Sequence, residues 1–326
     1  MARGPRMNEM SNGGKPCVLL IEPIPSWIVD RARDEFNLIV LSHESERPQE
    51  FLDNVAHIRG IAMPGFAKVD APLMALLPNL EILACFGVGY DGADVTYAQE
   101  NNIAVTNTPG VLTDCVADLG MALVLACLRK IVVGDRYVRA GRWKNEGIMA
   151  LNDAPRGRCL GIVGMGRIGL ELAKRAEVFG MTIAYYNRTE RDDVPYPYYA
   201  SAETLAEACD VLALTCPGGD ATQNMIDEDV LKALGPKGYL INIARGSVVD
   251  EAALVQALSE KTIAGAGIDV FADEPNVPEA LFELENIVLQ PHQASATVET
   301  RTAMGNLTID NLLAHFQGQP LPNQVA

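Results

Sequence analysis

The sequence predicts an α/β protein with two doubly wound, parallel-sheet domains. Short apolar runs alternate with amphipathic stretches from Cys17 to Thr106 and again from Leu160 to Leu289. That alternation is typical of parallel strands joined by right-handed helical crossovers. The chain has 326 residues, enough for about two domains. Its residues are 48% apolar and 21% charged, a balance that suits folded domains with hydrophobic cores.

The first series contains five predicted strands and ends in a long helix. The strands cover Val18–Ile21, Leu38–Leu41, Gly60–Met63, Leu80–Cys85 and Ile103–Thr106, with amphipathic helices over Ile28–Phe36 and Ala71–Leu77. The apolar stretch Val116–Arg129 is too long for a strand, so it predicts a buried helix that continues toward Arg139. Asp114 and Asp118 lie in its first turn, where negative charge complements the helix dipole.

The second series contains about six predicted strands. They cover Leu160–Val163, Ile183–Tyr186, Val211–Thr215, Tyr239–Ile243, Gly265–Ile268 and Ile287–Leu289, with helices over Glu171–Phe179 and Glu251–Glu260 and a final helix over Val298–Phe316. We expect a disordered polar tail over residues 1–15. The first domain is predicted over residues 16–112 together with 297–326. The second domain is predicted over residues 113–296.

The charge and the cysteine pattern exclude several classes of protein. The net charge of −16 repels phosphate backbones and anionic lipid, so neither a nucleic acid nor a membrane is an expected partner. No apolar run approaches the roughly 20 residues that span a bilayer, and the N-terminus lacks a signal-peptide core. Seven cysteines without a C-x-x-C pair indicate a reducing cytoplasm, without disulfides or zinc. No metal site is predicted among only four histidines.

A phosphate-binding turn is predicted between a strand and a helix. Gly164-Met165-Gly166-Arg167-Ile168-Gly169 matches G-x-G-x-x-G, follows an apolar strand and opens an amphipathic helix. Gly164 permits the tight turn, Gly166 the approach of a pyrophosphate, and Gly169 the packing of helix on strand. The free N–H groups at the start of the helix would hold the negative charge. The alternative is a glycine-rich turn without a ligand.

The residues after the next strand predict the choice of dinucleotide. Where an NAD(H)-binding site normally has Asp or Glu against the ribose hydroxyls, this sequence has Asn187-Arg188-Thr189. Arg188 can bind a phosphate, and an Arg–phosphate contact contributes about 1.5–3 kcal/mol. We therefore predict NADP(H) as the preferred cofactor, with NAD(H) as the alternative. Arg188 as a solvated loop cation is the competing interpretation.

Three polar side chains lie just past the carboxyl ends of three predicted strands of the second domain. They are Arg245, Glu274 and His292, and ligand sites of open α/β sheets lie at that edge. A guanidinium can bind a carboxylate bidentately, a histidine can donate a proton to a forming alkoxide, and a neighbouring glutamate favours the imidazolium. A reduced nicotinamide would supply hydride. Together they indicate reduction of a 2-keto acid, although each residue alone could be an ordinary loop residue.

The motifs together resemble the D-isomer-specific 2-hydroxyacid dehydrogenases along nearly the whole chain after the tail. The matching segments are Phe86-Gly87-Val88-Gly89-Tyr90-Asp91, Asn107-Thr108-Pro109-Gly110-Val111-Leu112-Thr113, Gly164–Gly169, Ile241–Gly246, Gly267–Pro275 and Pro291-His292. Within that family the chain looks most similar to glyoxylate/hydroxypyruvate reductases and hydroxyphenylpyruvate reductases. The resemblance implies a Rossmann cofactor domain inserted into a flavodoxin-like substrate domain, and a homodimer.

The resemblance also implies roles for individual residues. His292 is expected to be the acid/base, Glu274 its partner and Arg245 the substrate anchor. The substrate carboxylate is expected on the N–H groups of Val88 and Gly89, together with Arg245 and His292. The expected cofactor-binding residues are Thr113, Gly164, Gly166, Arg167, Ile168, Gly169, Asn187, Arg188, Thr189, Cys216, Pro217, Ile243, Asp269 and His292. Trp143 would anchor the dimer or, alternatively, would be an ordinary core indole.

Two segments depart from the family pattern. Gly218-Gly219-Asp220-Ala221-Thr222 stands where relatives usually have a Leu-Thr and a Pro, and Gln293 follows the histidine where a small residue or Gly is common. Gln293 could reach toward substrate or only shape its loop. The leading hypothesis is NADPH-dependent reduction of glyoxylate or hydroxypyruvate to the D-2-hydroxy acid. The alternatives are a dinucleotide-sensing corepressor-like module, or hydroxyphenylpyruvate, formate or phosphonate chemistry on the same scaffold.

Overall fold

The computed structural model describes residues 14–42 and 48–326. Most of the predicted tail and His43 lie outside the described residues. The chain divides into two compact units: unit 1 contains the described residues up to Leu112 together with Val298–Ala326, and unit 2 is Thr113–Thr297. Unit 2 ends one residue after the predicted boundary at 296. Both units are α/β structures with a parallel sheet, so the predicted fold class is confirmed.

Unit 1 is a five-stranded parallel sheet of order β2-β1-β3-β4-β5. Its strands are β1 (Cys17–Ile21), β2 (Asn37–Leu41), β3 (Ile58–Pro64), β4 (Ile82–Phe86) and β5 (Ala104–Thr106). Its helices are α1 (Ser26–Glu35), α2 (Gln49–Asn54), α3 (Ala71–Ala75), α4 (Val95–Glu100) and, from the end of the chain, α12 (Val298–Phe316). Every residue of β1 and β4 is buried, because helices cover both faces of a parallel sheet. The sequence therefore shows continuous apolar runs there rather than alternation.

Unit 2 is a seven-stranded parallel sheet of order β12-β11-β10-β9-β6-β7-β8. Its strands are β6 (Cys159–Val163), β7 (Thr182–Tyr186), β8 (Tyr198–Tyr199), β9 (Val211–Leu214), β10 (Tyr239–Asn242), β11 (Gly265–Ile268) and β12 (Ile287–Leu289). Its helices are α5 (Thr113–Leu128), α6 (Ile131–Arg139), α7 (Arg142–Glu146), α8 (Arg167–Val178), α9 (Ala202–Ala208), α10 (Glu228–Leu234) and α11 (Glu251–Ser259). The strand order reverses between β6 and β9, and ligands of such sheets bind beyond the carboxyl ends of the strands at that point.

Two features of unit 2 differ from the sequence-based expectation. The two-residue strand β8 has no apolar run long enough to be recognised. The prediction that one helix continues from Val116 toward Arg139 is wrong. Lys130 has a left-handed φ of 48°, and it separates α5 from α6. The N–H of Asp153 donates to the carbonyl of Leu128 at 3.0 Å, which satisfies the end of α5. A contact across 25 residues has no signature in local periodicity.

Membrane-spanning helices, clusters of metal ligands and disulfides are absent from the described part of the chain. None of its helices is both long and apolar enough to cross a bilayer. None of its groups of His, Cys, Asp and Glu could hold a metal ion. All seven of its cysteines are free thiols.

Candidate active site

The glycine-rich turn connects β6 to α8, as the sequence predicts, and its backbone requires two of its glycines. Gly164 has a φ of +100°, and a Cβ there would lie 2.5 Å from the backbone nitrogen of Cys216. A Cβ at Gly169 would lie 2.6 Å from the carbonyl oxygen of Gly164, so the helix packs directly on the turn. A Cβ at Gly166 would meet no atom within 4 Å and would occupy the space in front of the helix. No side chain caps the start of α8, so this turn fits a dinucleotide pyrophosphate.

The segment after β7 lies beside this turn, and two of its side chains form hydrogen bonds with the turn. The Asn187 side-chain oxygen accepts a hydrogen bond from the N–H of Met165 at 2.6 Å. Arg191 donates from Nη1 to the carbonyl of Met165, also at 2.6 Å, and its Nε donates to Asp193 at 2.8 Å. Arg188 and Thr189 are exposed. Across the described residues Arg188 makes no ion pair, so its charge is available to a phosphate at this position.

The predicted acid/base pair is in contact. The Nδ1 atom of His292 and the Oε2 atom of Glu274 are 2.7 Å apart. The other carboxylate oxygen of Glu274 accepts the N–H of Phe271 at 3.0 Å, which fixes the plane of the carboxylate. Burial alone would raise the pKa of Glu274, but the hydrogen bond from His292 and the positive charges of His292 and Arg245 outweigh it and lower that pKa. Glu274 is therefore an anion that can orient a protonated imidazole.

A buried aspartate holds the histidine loop. Asp269 is fully buried at the end of β11, and its carboxylate accepts the N–H groups of Gln293 at 2.7 Å and Ala294 at 3.0 Å. Its backbone carbonyl accepts the N–H of His292 at 2.8 Å. Burial raises the pKa of Asp269, opposed by these two hydrogen bonds. His292 itself has a left-handed φ of 54°, so the contacts with Asp269 maintain a backbone conformation that is uncommon for non-glycine residues.

Arg245 belongs to the same centre and is positioned by its own loop. Its Nη1 donates to the carbonyl of Ala244 at 2.7 Å, and its backbone carbonyl accepts the side-chain amide of the buried Asn242 at 2.9 Å. A Cβ at Gly246 would lie 1.9 Å from the carbonyl carbon of Phe271, so this glycine lets the Arg245 loop pack on the Glu274 loop. The positive charge of Arg245 also contributes to lowering the pKa of Glu274.

The remaining predicted cofactor residues of unit 2 lie on several different elements. Cys216 is buried beside Gly164, and burial raises the pKa of its thiol to about 11, so it is protonated at neutral pH. Pro217 is exposed, and its carbonyl accepts the hydroxyl of Thr222. Ile243 is buried against Gly120 of α5. Thr113 is the first residue of α5, Arg167 is the first residue of α8, and Ile168 follows it.

Val88 and Gly89 lie in unit 1, on the loop after β4. Both are half-buried, and the Val88 carbonyl accepts the side-chain amide of Asn107 at 2.8 Å. The loop packs tightly, because a Cβ at Gly65 would lie 1.9 Å from the carbonyl oxygen of Gly89. Gln293, in unit 2, donates from its side-chain amide to the carbonyl of Pro291 at 3.2 Å, so in this conformation it shapes the histidine loop.

Sequence reasoning missed several residues that hold the site in place. They are Asn107, Arg191 and Asn242, together with the double hydrogen bond of Asp269 to the histidine loop. Asn107 directly follows β5, and Asn242 is the last residue of β10. This position at the end of a strand is the only signal in the sequence that the two asparagines are buried. Arg191 lies three residues after Arg188. Its contact with Met165 spans 26 residues and cannot be inferred from the local pattern.

Comparison with known proteins places these motifs in one family. Residues 121–294 match the family model described as D-isomer specific 2-hydroxyacid dehydrogenase, NAD binding domain. The chain is 46% identical to the glyoxylate/hydroxypyruvate reductase A of Arabidopsis thaliana, over 93% of this chain and 97% of the relative. It is also 46% identical to the 2-ketogluconate reductase of Gluconobacter oxydans, over 94% and 97% of the two chains.

One solved structure is also similar to this chain over nearly its whole length. It is the NADPH-dependent glyoxylate/hydroxypyruvate reductase of Sinorhizobium meliloti in complex with NADP and malonate. It superimposes with a TM-score of 0.90 at 45% sequence identity, and the match covers 96% of this chain and 97% of that one.

Proposed function

The chain belongs to the D-isomer-specific 2-hydroxyacid dehydrogenases, and from that premise we propose that it is an NADPH-dependent reductase of small 2-keto acids. Glyoxylate and hydroxypyruvate are the first substrates to test. The contact of 2.7 Å between His292 and Glu274, beside Arg245, is the observation that supports this proposal most directly. A carboxylate-bound imidazolium next to a guanidinium is suited to an anionic carbonyl compound.

In the proposed mechanism His292 is the proton donor. Because Nδ1 faces Glu274, the proton is delivered from Nε2 to the carbonyl oxygen as the alkoxide forms. Glu274 stabilises the imidazolium and fixes its orientation, since both carboxylate oxygens are engaged. Arg245 binds the substrate carboxylate, and the N–H groups of Val88 and Gly89 bind it as well. The reduced nicotinamide, when bound, supplies the hydride to the carbonyl carbon.

We propose that the chain's own residues hold the cofactor at three places. The N–H groups at the start of α8, with Arg167, Ile168 and the three glycines of the turn, bind the pyrophosphate. Asn187, Arg188 and Thr189 would hold the 2′-phosphate, which would make NADP(H) the preferred cofactor and NAD(H) the weaker one. Asp269 and His292 would hold the nicotinamide end, and Thr113, Cys216, Pro217 and Ile243 would line the rest of the cofactor site.

The NADP complex of the Sinorhizobium relative supports the nucleotide proposal, and the reductase relatives support the reaction. The 2-ketogluconate reductase relative favours one second candidate substrate, a longer 2-keto sugar acid, with the same residues acting on the same carbonyl. A corepressor-like binding module is not favoured, because these relatives are all reductases by name.

Steady-state kinetics would test the proposal. Glyoxylate, hydroxypyruvate, 2-ketogluconate, pyruvate and hydroxyphenylpyruvate would each be supplied with NADPH and with NADH, and absorbance of the reduced nicotinamide would be followed. We expect the highest kcat/KM for a small 2-keto acid with NADPH. Oxidation of formate or phosphonate in place of keto-acid reduction, or no turnover with any keto acid, would contradict the proposed activity.

We also propose a cytoplasmic homodimer. Trp143 is 63% exposed, which excludes the core-indole alternative within this chain. It lies in a shallow apolar depression with Tyr137, Val138, Ile148 and Leu151, and such exposed apolar area favours burial against a second copy. Light scattering of the protein and of Trp143→Glu would test this, because the charged variant should shift a dimer toward monomer.

A further inference from the structure

The loop after β4 has two adjacent N–H groups with no acceptor. Throughout the part of the chain that the structure describes, neither Val88 nor Gly89 donates its backbone N–H to another group of the protein. Both residues are half-buried, so water is only partly available to them. Half-buried N–H groups are normally paired with protein, water or a ligand. Two of them in sequence indicate a place for an anion.

The carbonyl groups of the same loop are held from one side. The backbone N–H of Thr108 donates to the carbonyl of Gly87 at 2.9 Å. The side-chain amide of Asn107 donates to the carbonyl of Val88 at 2.8 Å. In a planar trans peptide the C=O of one residue and the N–H of the next point in opposite directions. Holding these carbonyls therefore turns the N–H groups of Val88 and Gly89 away from Asn107 and Thr108, both toward one side.

Asn107 is itself held rigidly enough to act in this way. It directly follows β5, and the residue is only 6% exposed. Its backbone N–H donates to the carbonyl of Asn323 at 3.2 Å. The N–H of Val105, two residues earlier, donates to the carbonyl of Ala326 at 2.8 Å. The loop itself also packs closely on Gly65, which lies against the carbonyl of Gly89.

We infer that Asn107 is a positioning residue that orients the Val88–Gly89 peptide so that two consecutive N–H groups bind the substrate carboxylate. This inference rests on the proposed reduction of a 2-keto acid. Asn107 does not touch substrate: its amide acts through the carbonyl of Val88. Without that hydrogen bond the Val88–Gly89 peptide can rotate, and the N–H of Gly89 loses its direction.

The first test replaces the donor. Asn107→Ser shortens the side chain so that it no longer reaches the carbonyl of Val88, and one neutral hydrogen bond corresponds to about a 2- to 12-fold change in an equilibrium constant. We expect the KM for glyoxylate and the inhibition constant of oxalate, a carboxylate without a reducible carbonyl, to rise by up to about tenfold. The dissociation constant of NADPH should not change, and kcat should change less than KM. Asn79→Ser is the matched control, because it removes a side-chain amide that bonds the carbonyl of Ala56 at 2.8 Å elsewhere in unit 1.

The second test uses pH and distinguishes orientation from a general loss of structure. In Asn107→Asp an ionised carboxylate would face the carbonyl of Val88 and repel it, so at neutral pH the KM should exceed that of Asn107→Ser. On acidification the protonated carboxyl can donate to the same carbonyl. The KM of Asn107→Asp should then fall below that of Asn107→Ser at the same pH. A purely structural role would not produce this crossing.

The outcomes distinguish a failure of the proposed function from a failure of the positioning role of Asn107. If the unaltered protein reduces no keto acid, the proposed function fails and the role of Asn107 fails with it. If the unaltered protein is active but both Asn107 variants keep its KM and its oxalate inhibition constant, only the positioning role is overturned. If Asn107→Ser does not fold, the KM of Asn107→Asp divided by that of the unaltered protein at the same pH decides alone: a ratio that falls on acidification supports the role, and a ratio that is flat with pH overturns it.

Discussion

The phosphate-binding turn and the His292 centre of unit 2 are built in different ways. The turn is local: Gly164 to Gly169 form it, and steric contacts at Gly164 and Gly169 specify its backbone. The centre is assembled from the ends of three strands, and its geometry depends on side-chain contacts such as that of Asp269 with Gln293. Substitutions in the turn should therefore change cofactor binding, whereas substitutions in the centre should change turnover.

The largest effect is expected for His292→Ala. Removing a positioned general acid lowers turnover by about 10²- to 10⁴-fold, so kcat for keto-acid reduction should fall by that factor. NADPH affinity, measured by fluorescence titration, should fall far less than kcat, because the pyrophosphate-binding turn is intact. His57→Ala, at an exposed histidine on a turn of unit 1, is the control. Near-normal turnover of the His292 variant would mean that another group donates the proton.

Arg188→Ala should change the choice of cofactor without changing the chemical step. Loss of a charge-assisted contact corresponds to about a 10- to 150-fold rise in the KM for NADPH, whereas the KM for NADH should change little. The exposed Lys237→Ala removes the same charge from another part of unit 2 and is the control. An equal loss with both nucleotides would show that Arg188 does not bind the 2′-phosphate.

Gly166→Ala should separate cofactor binding from stability. Its φ of −88° and ψ of −157° suit alanine, and the new methyl group meets no atom of the protein within 4 Å. The melting temperature should stay the same or rise slightly, since Gly→Ala at a compatible site stabilises by about 0.4–1 kcal/mol. NADPH affinity should nevertheless fall several-fold, because the methyl group occupies the pyrophosphate space. Gly164→Ala, with a φ of +100°, should lose both stability and affinity.

The smallest effect is expected in the pH dependence of stability. The pKa of Glu274 lies below its ordinary value of 4.5 in the folded protein, so its ionised form stabilises the native state above that pH. This contribution is lost as the pH falls below 4.5 through the folded pKa. Glu274→Gln should therefore lose less free energy of unfolding than the unaltered protein between pH 6 and pH 3.5, measured by urea denaturation. The exposed Glu283→Gln should behave like the unaltered protein.

Much of the fold is predictable from local pattern. Apart from β8, the strands of both units are mostly apolar, as expected of parallel strands whose two faces are covered by helices. The break at Lys130 was not predictable, because the hydrogen bond between Asp153 and Leu128 that ends α5 joins distant residues.

For the site, the sequence alone determined the glycine turn and the positions of Arg245, Glu274 and His292 at strand ends, because strand ends and tight turns follow from short-range pattern. Only the tertiary structure decided that Asp269 holds the histidine loop, that Asn242 holds the Arg245 loop and that Asn107 holds the carbonyl of Val88. Buried polar groups need partners wherever the fold brings them, and the side-chain partners of these three residues lie up to 25 residues away in the chain. Hydrogen bonds of that span leave no periodic trace in an amino-acid sequence.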